Sequence, residues 1–157
     1  MQIVKAYKFY AAHRNQDLCD KCWNLHGHRY GVEVTFNVVR KDPDQDAVTT
    51  LFGDFDAKIE PFLKNHYDHS LLLDRNDPLV KYLEAFQDEV DQSFKIKWFD
   101  RPTSVENLCL MLFGEFQDLG FDVEKIEVKE TDSSTVAYTK DDYREESGVL
   151  NIDREDA

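Results

Sequence analysis

Residues 28–40 set the first element: Tyr30, Val32, Val34, Phe36 and Val38 alternate with Glu33, Thr35 and Asn37, the period of a half-buried strand. Residues 2–13 share the strand composition without a helical period. Between them, the polar stretch 14–27 reads as a long functional loop. Asp42-Pro43-Asp44 ends the second strand. The period then changes. Phe55, Ile59, Phe62 and Leu63 trace a helical stripe with Asp54 as the expected N-cap, and Pro61 is expected to kink or split it. A short amphipathic stretch from Pro78 to about Val90 and a brief extended piece at Lys95–Phe99 follow.

The second main helix is better marked. Thr103-Ser-Val-Glu106 reads as a capping box, Leu108, Met111, Leu112, Phe116 and Leu119 as the buried stripe, and Gly120 as the stop. Two strands, about 123–130 and 134–140, are joined at Asp132-Ser133. The order of two strands, helices and two strands predicts an α+β domain, its sheet covered on one face.

Composition narrows the function classes. The chain has 157 residues, 41% hydrophobic and 13% aromatic, enough for one globular core without disulfides. A net charge of −13 argues against a general nucleic-acid binder. No apolar run reaches the roughly 20 residues of a membrane span and no signal-peptide pattern opens the chain, so no membrane partner is expected. Cys19, Cys22 and Cys109 cannot all pair, and reduced thiols in a cytoplasmic setting are the simpler reading. From Asp141 onward seven acidic residues face only Arg144 and Arg154. Residues 1–140 are therefore expected to form the domain and 141–157 an acidic tail, its last dozen positions frayed and solvated.

The candidate chemistry starts at three histidines. His26 and His28, two apart on an extended chain, project to one side, and His13 at the end of the preceding strand can supply a third nitrogen. Three neutral nitrogens leave a fourth zinc position open, as a catalytic site requires, with Cys22 nearby to act on its occupant. Cys19-x-x-Cys22 offers a rival, a closed structural zinc of two cysteines and two histidines. Asp68 and His69 are adjacent and not expected to bond each other easily; alone, they read as a helix terminus. Glu130 falls in register with Ile126 and Val128, and an inward carboxylate needs a ligand or cation. Thr131 adds a hydroxyl beside it.

Phe9-Tyr-Ala-Ala-His13, Cys22-x-x-x-His26-Gly-His28-x-Tyr30, Gly53-Asp54-Phe55, Tyr67-Asp68-His69, Pro102-Thr-Ser-Val-Glu-Asn107 and Val128-Lys-Glu130-Thr131 resemble, in that order, the 6-pyruvoyltetrahydropterin synthase family. The resemblance covers about residues 2–140. Three residues between Cys22 and His26 make it similar to the bacterial 6-carboxytetrahydropterin synthases of queuosine biosynthesis. It implies a tunnelling fold: a four-stranded antiparallel sheet with two main helices on one face, joined into a trimeric β-barrel and stacked as a homohexamer. The polar faces of 33–37 and 125–129 would then line the barrel lumen. It also implies Zn2+ on His13, His26 and His28, a proton-transfer group of Cys22, Asp68 and His69, and Glu130, with Thr131 beside it, binding the pterin.

The implied reaction takes 7,8-dihydroneopterin triphosphate to 6-carboxy-5,6,7,8-tetrahydropterin with loss of triphosphate and acetaldehyde. The alternatives are the pyruvoyl product or a non-catalytic zinc-stabilised pterin binder. The cation and His69 are expected to favour the Cys22 thiolate, and Arg14, Lys21 or Arg29 to meet the triphosphate. Two departures stand out. Pro102-Thr-Ser-Val-Glu has one residue more than the commonest family form, leaving Thr103 and Ser104 both candidates for the family's threonine. Cys19 is not part of the signature.

Overall fold

The computed structural model describes residues 1–18 and 20–155, with side chains to residue 148. Strand β1 (Gln2–His13) pairs antiparallel with β2 (His26–Asn37), in register from Gln2 opposite Asn37 to His13 opposite His26. The polar loop between them contains a 3-10 turn, Lys21–Trp23, carrying Cys22. Helix α1 (Phe52–His66) leads to β3 (Ser70–Asp74), and α2 (Val80–Val90) to β4 (Ile96–Phe99). Helix α3 (Val105–Asp118), β5 (Val123–Thr131), β6 (Ser134–Thr139) and α4 (Lys140–Glu155) complete the fold.

The sheet corrects the expected four antiparallel strands. It has six, ordered β4-β3-β1-β2-β5-β6, and is mixed: β3 runs parallel to β1 and β4 parallel to β3. Strand β3 escapes a periodicity reading because Ser-Leu-Leu-Leu-Asp is buried at every position but Leu71. A strand enclosed on both faces has no polar alternation to show. Helices and core share one face, where Tyr7, Phe9, Tyr30, Val32, Val34, Phe36, Ile126 and Val128 meet Phe55, Ile59, Leu63, Leu108, Leu112 and Phe116. The other face carries exposed Val4, Lys8, Tyr10 and Arg29.

Caps shift from their expected places. Helix α1 begins after Leu51 with no side-chain cap, and Asp54 lies in its first turn, where a carboxylate suits the helix dipole. Pro61 does not split it. The N-cap of α3 is Ser104, whose hydroxyl accepts the Asn107 N–H at 3.3 Å; Thr103 is freed for another use. Gly120 stops the helix at φ 99°, as expected. Helix α4 replaces the start of the expected tail. Thr139 caps it, exchanging bonds with Asp142. Tyr143 then stacks on Phe113 at 4.7 Å, and the Tyr138 hydroxyl donates to Glu146 at 2.7 Å. Among the described residues, no helix is long and apolar enough to cross a membrane.

Candidate metal centre

Antiparallel register builds the centre. His13 pairs directly with His26, and the period of two puts His28 on the same inward face. The three rings have centroids 4.6, 4.8 and 5.2 Å apart, with ligand nitrogens all within 4.8 Å of one another. A tetrahedral zinc with bonds of about 2.0–2.1 Å brings its nitrogens to roughly 3.3 Å apart, so small ring rotations close the trio.

Backbone carbonyls aim two rings. His13 Nδ1 lies 2.9 Å from the Thr103 carbonyl and His26 Nδ1 2.7 Å from that of Asn24. A carbonyl only accepts, so each Nδ1 carries the proton and each Nε2 keeps its lone pair for a ligand. The Thr103 hydroxyl donates to the Arg14 carbonyl at 3.0 Å, tying the α3 approach to the end of β1. Thr103, not Ser104, thus supports the site.

Polar atoms left without partners mark where a ligand fits. His13 Nε2, His28 Nε2 and the Tyr30 hydroxyl are buried and, among the described residues, have no hydrogen-bond partner. Such groups cost free energy unless a ligand meets them. Burial first, then the neighbouring imidazoles, lower the His13 pKa to about 4, against a raising effect of the Thr103 bond. The ring is neutral at pH 7, the form that binds metal. Glu130 joins the group, with Oε1 3.5 Å from His28 Nε2 and Oε2 4.0 Å from His13 Nε2. The inward carboxylate therefore faces the imidazoles. Thr131 is exposed, its hydroxyl 3.4 Å from that of Ser133.

Cys22 sits on the 3-10 turn with its N–H bonded to Asp20 Oδ1 at 2.8 Å and its carbonyl accepting from Asn15 at 2.8 Å. The protein's own groups do not favour its thiolate. Partial burial, then Asp20, push its pKa up, Glu130 adds to this, and only Lys21 opposes. Cys19, on which a four-ligand zinc depends, lies outside the described residues.

Asp68 and His69 do bond each other, contrary to expectation, at 2.7 Å. His69 adopts a left-handed φ of 57° at the end of α1, which folds its ring back onto the preceding carboxylate. Asp68 Oδ1 accepts the Tyr10 N–H at 2.9 Å, and that bond, then His69 and Lys95, hold its pKa below the usual carboxylate range. The His69 ring is exposed and lies 6.4 Å from Tyr10, which points to the sheet face opposite His13. Arg14 is also occupied, its guanidinium doubly bonded to buried Asp77 at 2.7 and 2.9 Å and lying 4.8 Å from the Trp23 ring.

Thr103 is one of the two candidates that sequence reasoning left open, and Tyr30 and Asn24 are neighbours of the trio to which it gave no role. Tyr30 alone left a signal, as the next inward position after His26 and His28.

The chain is similar to several known proteins. Curated relatives named 6-carboxy-5,6,7,8-tetrahydropterin synthase include one from Rickettsia bellii, 27% identical over 136 residues, 83% of this chain and 94% of that one. Another, from Synechocystis, is 27% identical over 139 residues, covering 87% and 91%. A Plasmodium falciparum 6-pyruvoyl tetrahydropterin synthase structure shares the fold at TM-score 0.63 and 15% identity, covering 89% and 97%. An uncharacterized Wolinella succinogenes protein does so at TM-score 0.70 and 20% identity, covering 89% and 98%. The sequence model described as 6-pyruvoyl tetrahydropterin synthase matches residues 2–141. By that match this chain, with its three inward imidazoles, belongs to the 6-pyruvoyl tetrahydropterin synthase family.

Proposed function

We propose that the protein is a zinc-dependent lyase acting on 7,8-dihydroneopterin triphosphate, yielding 6-carboxy-5,6,7,8-tetrahydropterin with loss of triphosphate and acetaldehyde. The observation that carries the reading is the trio of inward imidazoles with two orphaned Nε2 atoms beside a cysteine turn. Curated relatives bearing the carboxy-product name favour that branch; the solved structures named 6-pyruvoyl tetrahydropterin synthase keep the pyruvoyl product as the alternative.

His13, His26 and His28 would hold the metal. Bound there, zinc would polarise the substrate's side-chain hydroxyls as a Lewis acid and draw the Cys22 thiol down toward the thiolate. Cys22 then removes a proton from the side chain as general base. His69, oriented by Asp68, handles protons on the other side. Glu130 is assigned to the substrate: a carboxylate accepts the two parallel N–H donors of the pterin edge in a fork. Its place against the imidazoles keeps that contact close to the reacting carbons, with Thr131 beside it as a second substrate contact.

We assign the Asp68–His69 pair and Cys22 of one site to different copies: the His69 ring lies by Tyr10 on the outer face of the sheet, whereas the Cys22 turn leads into the strand that carries the inward His26 and His28. Two strand edges support such an assembly. Among the described residues, Gln2–Tyr10 of β1 pair only with β2, and β6 pairs only with β5. Open edges are templates for pairing, and joining them between copies would close the proposed barrel and complete the hexamer's sites.

Anaerobic incubation of the zinc-loaded protein with 7,8-dihydroneopterin triphosphate tests the reading. Acetaldehyde and triphosphate released together support it. Triphosphate without acetaldehyde moves the assignment to the pyruvoyl product, and no consumption of substrate removes the enzyme reading.

A further inference from the structure

Of the three orphaned polar atoms on the inward face, two belong to the imidazole trio and the third is the Tyr30 hydroxyl. Tyr30 is fully buried, at 0% exposure, and among the described residues its hydroxyl has no hydrogen-bond partner. The ring is well packed without one. It stacks on Phe9 at 5.1 Å and meets the His28 and His13 rings edge-on at 5.6 and 6.3 Å. Phenylalanine would serve that packing equally, and a buried hydroxyl without a partner costs stability. The oxygen therefore calls for a use.

The strand register identifies its neighbour. Gly31 pairs with Lys129 and Val32 with Val128, so one step further along the same ladder Tyr30 falls opposite Glu130. Both side chains are inward. Directly opposed Cβ atoms lie about 4.5–5.5 Å apart, a spacing that tyrosine and glutamate side chains span. Burial, then the Glu130 charge, push the Tyr30 pKa far up, so the hydroxyl keeps a proton to give. The imidazole beside Glu130 does not. His13 gives its Nδ1 proton to the Thr103 carbonyl, which leaves a lone pair on the Nε2 that lies 4.0 Å from Glu130 Oε2. A lone pair cannot bond a carboxylate oxygen.

We propose that Tyr30 is a positioning residue for Glu130: its hydroxyl donates to the carboxylate and fixes the plane in which that carboxylate accepts the two N–H groups of a pterin. The assignment rests on the substrate role given to Glu130 above. Each carboxylate oxygen has two lone pairs, so one bond from Tyr30 leaves the fork intact. The bond orients an acceptor and moves no proton of the substrate, so it acts on binding rather than on the chemical step.

Tyr30→Phe removes one oxygen and keeps the Phe9 stack. Anaerobic calorimetric titration of the full-length zinc-loaded protein with 7,8-dihydroneopterin reads pterin binding alone, because this probe lacks the triphosphate leaving group. Affinity is expected to fall roughly tenfold in Tyr30→Phe, as for one hydrogen bond to a charged acceptor, with zinc content unchanged. Tyr30→Phe/Glu130→Gln should bind no more weakly than Glu130→Gln, since a hydroxyl that acts through Glu130 then has nothing to position. In turnover, Tyr30→Phe should raise KM more than it lowers kcat. Infrared difference spectra supply a readout that needs no pterin: the antisymmetric carboxylate band that Glu130→Gln removes should shift in Tyr30→Phe. A band that stays in place, wild-type affinity in folded Tyr30→Phe, or losses that multiply in the double variant overturns the proposal. A shifted band in a protein that binds no pterin would uphold the Tyr30–Glu130 pair while refuting the substrate role of Glu130.

Discussion

Asp20 accepts the backbone N–H of Cys22 and, after partial burial, is the main reason its thiol titrates high. Removing that charge stabilises the thiolate. Asp20→Asn should therefore lower the pH midpoint for alkylation of Cys22 in the metal-free protein, followed by peptide mass spectrometry. An unchanged midpoint would mean that Asp20 does not tune the thiol. His13 makes a second, opposite-signed case. Its folded pKa of about 4 lies below the unfolded value of 6.5, so between those values the unfolded chain binds the extra proton. Stability conferred by neutral His13 is present above pH 6.5 and lost as pH falls toward 4, at up to about 1.4 kcal/mol per pH unit. Urea unfolding of the metal-free protein at pH 7 and pH 5 should show this loss, and His13→Asn should flatten it; equal stabilities would contradict the burial argument. The trio itself was legible in the sequence because strand periodicity fixes the side on which His26 and His28 emerge. The Asp68–His69 bond was not, because it depends on a left-handed backbone at a residue that is not glycine.

At the scale of elements, alternation identified β2 and β5, strand composition identified β1, and a stripe identified α1 and α3. Strand β3 was hidden by complete burial, and the α3 cap by two adjacent hydroxyl residues, either of which satisfies the pattern. Only the fold separates them: Ser104 turns to the helix and Thr103 to His13 and Arg14. Helix α4 was masked by its charge. Acidic composition argues for a solvated tail, yet Tyr143 anchors the segment on Phe113, and its hydroxyl occupies the space a side chain at Gly114 would need. Tyr143→Ala should destabilise the protein by about 1–3 kcal/mol in urea unfolding. No change would mean that Tyr143 does not anchor α4 on α3.

For the whole molecule, the proposed assembly, in which the Asp68–His69 pair of one copy serves the Cys22 of another, predicts shared sites. Cys22→Ala and His69→Ala should each be inactive alone, while the two co-expressed should regain activity in mixed oligomers that contain one intact site. Absence of complementation in a verified mixed oligomer would place both groups in one chain's site. The family and the one-faced sheet were readable from motifs along the chain, but this division of labour follows only from the third dimension. The central claim remains the metal centre: three imidazole nitrogens and no sulfur. X-ray absorption at the zinc edge of the loaded protein measures it directly. A three-imidazole site gives a shell of nitrogen and oxygen scatterers at about 2.0–2.1 Å with imidazole outer-shell features, the expected result. A sulfur shell near 2.3 Å would contradict it, placing a cysteine on the metal and leaving the proposed base without its role.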